Sequence, residues 1–459
     1  MKNTYSKVFQ FIFAGIFLFL SACNSSTDIT PTSTTFQAPI PSQTSTTEPN
    51  YIPEPTLTTK PSSTPSPTTT PSPIQVSEHR IGIRYVNGMG EFYNKEDDSK
   101  FVPRGMNYAR IDHVINGNDW HSTFDPALYD PKQIDQALQQ MESDGFNLVR
   151  VFIDCCSAAG EQVGNPIHGL SYPYTENVVD FLKRAKSHHI YVILITDLTP
   201  GLGGYNDLLW KAGTAQIGGN NPRYLTVGGS IAKANYETDF VRVLIEHQAP
   251  MDAIFAYDLT NEVNFDTSMP PFSLSNGLVT TGNGKSYDMA KPDDKVRMAY
   301  ENLIYWIDHQ RESIRQLDPT ALVEVSFYAP MAPVPSQLGD SYISLTGEVI
   351  AQSQVDFIDL HPYPGVGFDL SQYARYYGID ANTPKPILMG EFGAFKYAFD
   401  AAADAAQFLQ NWQIESCQYG FDGWLLWTWD TEDRVWNALS QNHEIEKALA
   451  PTNRPDPCR

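Results

Sequence analysis

The chain has 459 residues, of which 41% are apolar, 12% aromatic and 18% charged, enough apolar material for a large core and too much for a disordered protein. Acidic residues outnumber basic ones by 53 to 31, a formal charge of −22, and no Lys/Arg run offsets it, so nucleic acid is a poor partner. Only one long apolar run exists, at the extreme N-terminus, which excludes a polytopic membrane protein.

That run spans Val8 to Leu20 behind Lys2 and Lys7. Its length of about 13 residues suits a signal-peptide core and is short for a spanning helix. It ends in Leu20-Ser21-Ala22-Cys23, which resembles the bacterial lipobox. The resemblance implies a lipoprotein signal peptide over residues 1–22 and lipidation of Cys23. The alternative is an ordinary secretory signal, and both predict export, with a surface or periplasmic membrane anchor in the first case. From residue 23 to 76 the composition changes: roughly 35 of the 53 positions after Cys23 are Ser, Thr or Pro. Such a segment has too little to bury to offset its ordering entropy, and predicts an extended linker.

A hairpin is expected from Ile81 to Tyr93, turning at Asn87-Gly88. Short apolar runs then alternate with amphipathic stretches. The runs are Phe101–Asn107, Asn147–Phe152, Ile190–Thr196, Ala253–Leu259, Ala321–Phe327, Val355–His361, Pro386–Glu391 and Gly423–Trp427. Most lack polar alternation, as strands covered on both faces do. Helical patterns include Pro131–Ser143, Thr175–His188, Lys233–His247, Asp294–Gln316 and Ala401–Glu415. Eight strands each followed by a helix predict a (β/α)8 barrel over residues 77–459, in the α/β class. Two connections, Leu198 to Ser230 and Val263 to Asp293, far exceed ordinary βα loops and are expected to wall a cleft.

Of the four cysteines besides Cys23, Cys417 with Cys458 would tie down the C-terminus, while adjacent Cys155 and Cys156 could form a vicinal bridge; the sequence leaves the pairing open. No zinc-ligand spacing occurs, and no cofactor is called for.

The fourth and seventh runs end in carboxylates, at Asn261-Glu262 and at Glu391. In a barrel every parallel strand delivers its C-terminal end to one rim, and strands four and seven face each other across the mouth. Two carboxyls across a sugar-sized gap suit glycosidic bond cleavage, one donating a proton and the other carrying negative charge.

Six segments in order carry a family resemblance: Arg104-Gly105-Met106-Asn107, Asn147-Leu148-Val149-Arg150, Asn261-Glu262, His361-Pro362-Tyr363, Glu391-Phe392-Gly393 and Trp424-Leu425-Leu426-Trp427. Together they resemble glycoside hydrolase family 5 and its clan A of retaining β-glycosidases. One element departs from the family pattern. Asp197-Leu198-Thr199 puts Thr199 where many members carry a His, which weakens a typical cellulase assignment and leaves mannan-active branches open.

The resemblance implies Glu391 as nucleophile and Glu262 as acid/base, with Arg150 and Tyr363 stabilising Glu391. It implies that Asn261 binds the sugar 2-hydroxyl, that His361 orients groups around Glu391, that Asn107 supports the site, and that Trp427 is the sugar platform. Arg150 could instead be a barrel ion pair with Asp258 or Asp359, and Asn107 a loop cap. Trp120, Trp210, Tyr205, Tyr328 and Trp429 are more distant platform candidates. The expected substrate is a β-linked polysaccharide or oligosaccharide, β-1,4-glucan or β-mannan. The alternatives are a surface lipoprotein that captures carbohydrate without turnover, and a transglycosylase.

Overall fold

The computed structural model describes residues 77–113, 119–153, 162–328, 346–364 and 368–459. The signal sequence, Cys23, the Ser/Thr/Pro linker, Cys155 and Cys156 lie outside the described residues. Parallel strands β1 (Arg104–Asn107), β2 (Leu148–Phe152), β3 (Tyr191–Ile195), β4 (Ile254–Asp258), β6 (Ile358–His361), β7 (Ile387–Phe392) and β8 (Phe421–Leu426) follow one another around the sheet. The circuit closes through β5, which Val325 divides into Val323–Glu324, paired with β4, and Ser326–Tyr328, paired with β6. Each strand leads to a helix: α1 (Pro131–Ser143), α2 (Tyr172–Ser187), α3 (Val227–Glu246), α4 (Pro292–Arg315), α5 (Thr346–Gln352), α6 (Leu370–Tyr377), α7 (Ala402–Ser416) and α8 (Ser440–Leu449). The architecture is a (β/α)8 barrel.

Strand parity sorts the side chains. Val149 and Val151 of β2, Val192 and Leu194 of β3, and Ile358 and Leu360 of β6 point outward into the main core, against the helices. Inward-facing Leu148, Ile193, Phe255, Leu322, Phe357, Leu388 and Leu425 form an apolar layer at the bottom of the barrel. The N-terminal hairpin caps that end. Ile81 and Phe92 join this layer, and the Phe92 ring lies 5.1 Å from Phe255 and 5.2 Å from Phe357. Its strands, Ile81–Val86 and Met89–Asn94, turn at Asn87 (φ 53°) and Gly88 (φ 84°), the paired left-handed residues that a two-residue hairpin turn requires.

One strand position higher, the interior changes character. Arg150, Asp258, Glu324, Ser326, Asp359 and His361 replace the apolar residues, all fully buried. This polar layer lies directly below the C-terminal rim.

The two long connections leave that rim. The β3–α3 connection carries helices Tyr205–Ala212 and Pro222–Leu225; the β4–α4 connection carries a hairpin of Leu278–Thr280 and Ser286–Asp288. They brace each other: Asn221 Nδ2 donates to Asp266 O at 2.9 Å and Pro270 O at 3.0 Å, and Gly282 N donates to Leu225 O at 2.9 Å. At the opposite end, a Cys417–Cys458 disulfide fastens the C-terminal segment to the turn after α7. Arg104 of β1 holds the same segment, donating to Leu449 O at 2.5 Å and Arg454 O at 2.7 Å.

Candidate active site

Glu262 sits four residues beyond β4, where its backbone enters the left-handed region (φ 52°). A non-glycine residue held there costs about 1–3 kcal/mol and persists only when its surroundings fix it. Here Ser326 Oγ lies 3.0 Å from Glu262 N, and the chain just before is held by Asp197 Oδ1, 3.0 Å from Asn261 N. The strained turn aims the Glu262 carboxyl back over the barrel mouth. Glu391 reaches the same space from β7, whose pairing with β8 shifts register between Met389 and Phe392. Such an irregularity re-aims a side chain at the end of a strand.

The two carboxyls meet. One oxygen of each, with a ring nitrogen of His361, lies within 4.8 Å of the others. Glu391 is 4% exposed and has a donor on each oxygen: Arg150 Nη1 at 2.6 Å on Oε1 and the Tyr363 hydroxyl at 2.7 Å on Oε2. Both donors favour the carboxylate. Glu262 is held differently. Burial raises its pKa above the ordinary glutamate value, the nearby Glu391 charge adds to that, and the His361 ring opposes it.

Arg150 serves both of its proposed roles at once. Besides Glu391 it donates to Asp258 Oδ2 at 2.7 Å, to Asn261 Oδ1 at 2.8 Å and to Asn107 Oδ1 at 3.2 Å, with Asp359 Oδ2 at 3.5 Å. Because a guanidinium has only donors, its contact fixes the Asn261 amide with oxygen inward and NH2 free to donate. Asn107 is fully buried and braces β7 by donating to Gly390 O at 2.8 Å, so it is no loop cap.

His361 stands between the two glutamates. Its Nδ1 is hydrogen-bonded to Glu262 Oε1 at 2.9 Å and lies 3.7 Å from Glu391 Oε2. Burial disfavours its charged form, yet Glu391, Asp359 and Glu262 around it prevail and push it up to about 10.

Trp427 lies half-buried at the end of β8, with Nε1 donating to Asp433 Oδ2 at 2.8 Å. Its ring meets Phe152 edge-on at 5.8 Å, and His121 stacks on Phe152 at 3.9 Å. This aromatic wall was not legible, because His121 ends a three-residue strand, Asp119–His121, with no motif of its own. Of the distant platform candidates, Tyr205 (5% exposed) and Trp429 (2%) are packing residues instead, since burial leaves no face for a sugar. Trp210 is exposed on the β3–α3 connection, Tyr328 is half-buried beside Tyr363, and the Trp120 side chain lies outside the described residues. Thr199 borders a small cavity with Asp197, Arg223, Lys233 and Thr260, beside the turn that carries Asn261.

No family model matches the chain, and no relative is found among curated proteins. Solved structures do resemble it. The endo-1,4-β-mannanase of Rhizomucor miehei aligns with a TM-score of 0.55 at 16% identity, covering 82% of this chain and 99% of that one. The endo-β-1,4-mannanase of Thermotoga petrophila gives 0.51 at 16% identity, covering 78% of each. At that identity the likeness establishes the barrel fold.

Proposed function

We propose that the protein is a retaining β-glycoside hydrolase working by double displacement, with Glu391 as nucleophile and Glu262 as acid/base. The observation that carries this reading is that one carboxyl oxygen of Glu262 and one of Glu391 lie within 4.8 Å of each other at the C-terminal rim. A gap of about 5–5.5 Å suits direct attack by one carboxylate, whereas inversion needs a wider one to admit water.

The asymmetry of the pair supports these roles. Glu391, with Arg150 and Tyr363 donating to it, is the carboxylate that attacks the anomeric carbon. Glu262 has Oε1 occupied by the His361 Nδ1–H, so its acidic proton resides on Oε2, facing the leaving glycosidic oxygen. Once Glu391 becomes an ester, its charge no longer holds the Glu262 proton in place, and Glu262 acts as base toward the incoming water. Asn261, its NH2 turned outward, donates to the sugar 2-hydroxyl. Trp427 offers its face beneath the sugar. Both glutamates supply all the proton transfer and nucleophilic chemistry this requires.

Two of the structures the chain resembles are endo-1,4-β-mannanases, which supports β-mannan as the substrate, with β-1,4-glucan the other candidate. The chain is further proposed to be exported and held at a membrane by a lipid on Cys23, the Ser/Thr/Pro linker lifting the barrel from the surface. The test is hydrolysis of aryl β-mannosides and β-glucosides and of mannan, glucan and xylan. Turnover should be lost in Glu391→Ala and products should keep the β configuration. Binding without product release from every glycan would support a capture protein instead, and inverted products would overturn the assignment of Glu391.

A further inference from the structure

The polar layer beneath the rim contains a group that the proposed reaction does not use. Asp258 of β4, Glu324 of β5 and Asp359 of β6 are fully buried, with one oxygen from each within 4.8 Å of the others. Asp258 and Glu324 stand directly opposite in the β4–β5 register. Asp258 is well provided for, accepting from Arg150 at 2.7 Å on Oδ2 and from Thr260 N at 3.1 Å on Oδ1. Asp359 is half satisfied: Oδ1 accepts from Gly390 N at 2.7 Å, while Oδ2 has only Arg150 Nε at 3.5 Å and no hydrogen bond. Glu324 has nothing: neither of its oxygens finds a hydrogen-bond donor, although both are shut away from water. A buried carboxylate without donors is relieved by taking up a proton, and carboxylates sharing one space resolve their repulsion in the same way.

We propose that Glu324 is a positioning residue held as the neutral acid, sharing its proton with Asp258 or Asp359, and that this proton keeps Arg150 directed at Glu391. Burial and the two neighbouring aspartates drive the Glu324 carboxyl well above the ordinary range, against the pull of Arg150. The consequence for the site follows from donor counting. Arg150 has one donor edge toward Asp258 and Asp359 and another toward Glu391, at 2.6 Å. A third ionised carboxylate below would draw the guanidinium down and away from Glu391; a neutral one does not. A divalent cation in place of the proton would have to lie against that same guanidinium, and two cations sharing Asp258 repel each other. Sequence supports the arrangement too. A Cβ on Gly390 would come within 2.0 Å of both Asp359 oxygens, so β7 carries glycine where the acid layer presses on it.

The kinetic arm of this inference rests on Glu391 being the nucleophile, whereas its spectroscopic arm does not. In the full-length protein with Glu262→Gln, to remove the carboxyl proposed as acid/base, the infrared difference spectrum against the same protein with Glu324→Gln added should contain a deuterium-sensitive carboxylic acid carbonyl band. In the Glu262-containing enzyme, Glu324→Gln, which mimics the protonated form, should keep kcat within about threefold. Glu324→Ala should lower kcat about a hundredfold with little change in KM, as a misdirected nucleophile does. If the alanine variant does not fold, the glutamine variant and the band decide. The proposal is overturned if the band is absent, if glutamine impairs turnover as much as alanine, or if the purified protein carries one equivalent of a divalent metal. Turnover that survives Glu391→Ala would sink the reading of the site while leaving the band, and so the buried proton, standing.

Discussion

Removing the Tyr363 hydroxyl separates the two chemical steps of the proposed mechanism. Tyr363 donates to Glu391 Oε2 at 2.7 Å, and the two side chains are 6% and 4% exposed, so water cannot substitute for the lost donor. A hydrogen bond to a charged partner contributes about 1.5–3 kcal/mol. In the first step Glu391 begins as a carboxylate and ends as an ester, so the bond stabilises the starting state at least as much as the transition state. In the second step the carboxylate is regenerated as leaving group, and the donor is needed as the charge develops. Tyr363→Phe should therefore slow the second step by roughly ten- to hundredfold and spare the first. With an aryl β-glycoside, stopped-flow traces should show a burst of phenol equal to the enzyme present. kcat and KM should fall together, and mass spectrometry should find a glycosyl adduct on the Glu391 peptide. Equal losses in kcat and kcat/KM with no burst would refute the reasoning, because they would mean that the hydroxyl serves the first step.

Other outcomes follow from the same geometry. Glu262 must be protonated to act, and burial raises its pKa, so kcat/KM should hold above the usual glutamate range and fall as pH rises through that raised value. His361 opposes the rise, so His361→Asn should move the alkaline limb of the pH profile to higher pH; an unmoved limb or an acid shift counts against the assignment. Replacing Cys417 and Cys458 by serine opens a loop with a sequence separation of 41, and urea unfolding should show a loss of about 4 kcal/mol with turnover per folded molecule unchanged. Gly390→Ala forces a methyl against Asp359 at 2.0 Å, and should cost about 1–3 kcal/mol of stability in thermal melts and at least tenfold in kcat.

The barrel was legible because its strands are covered on both faces. The run Ile254-Phe255-Ala256-Tyr257 is buried throughout, and all five residues of Leu148-Val149-Arg150-Val151-Phe152 are as well, so mostly apolar runs marked the strands, with Phe101–Asn107 and Val355–His361 expected to begin earlier than the observed Arg104 and Ile358. Pro131, placed one residue after Asp130, marked the start of α1, and Asp130 Oδ1 caps it. Glu262 and Glu391 were legible for a topological reason. Residues closing parallel strands of one barrel share a rim whatever their separation in the chain.

What escaped was everything that depends on which way a strand faces and where it slips. Glu324 sits with Ser326 among the apolar residues of the run Ala321–Phe327, and a sequence cannot say whether they point at helix or at barrel axis. The answer depends on the break at Val325 and on the pairing of Glu324 with Asp258. The hydrogen bond between His361 and Glu262 escaped for a similar reason. The turn after β4 folds back at a left-handed Glu262, a conformation that non-glycine residues rarely adopt, and this brings its carboxyl onto the histidine. The same turn gives the two glutamates unequal surroundings: one is clamped by Arg150 and Tyr363, the other is touched on a single oxygen by His361. Identical side chains thus acquire unequal surroundings from backbone geometry, and the proposed division of labour between them rests on that difference.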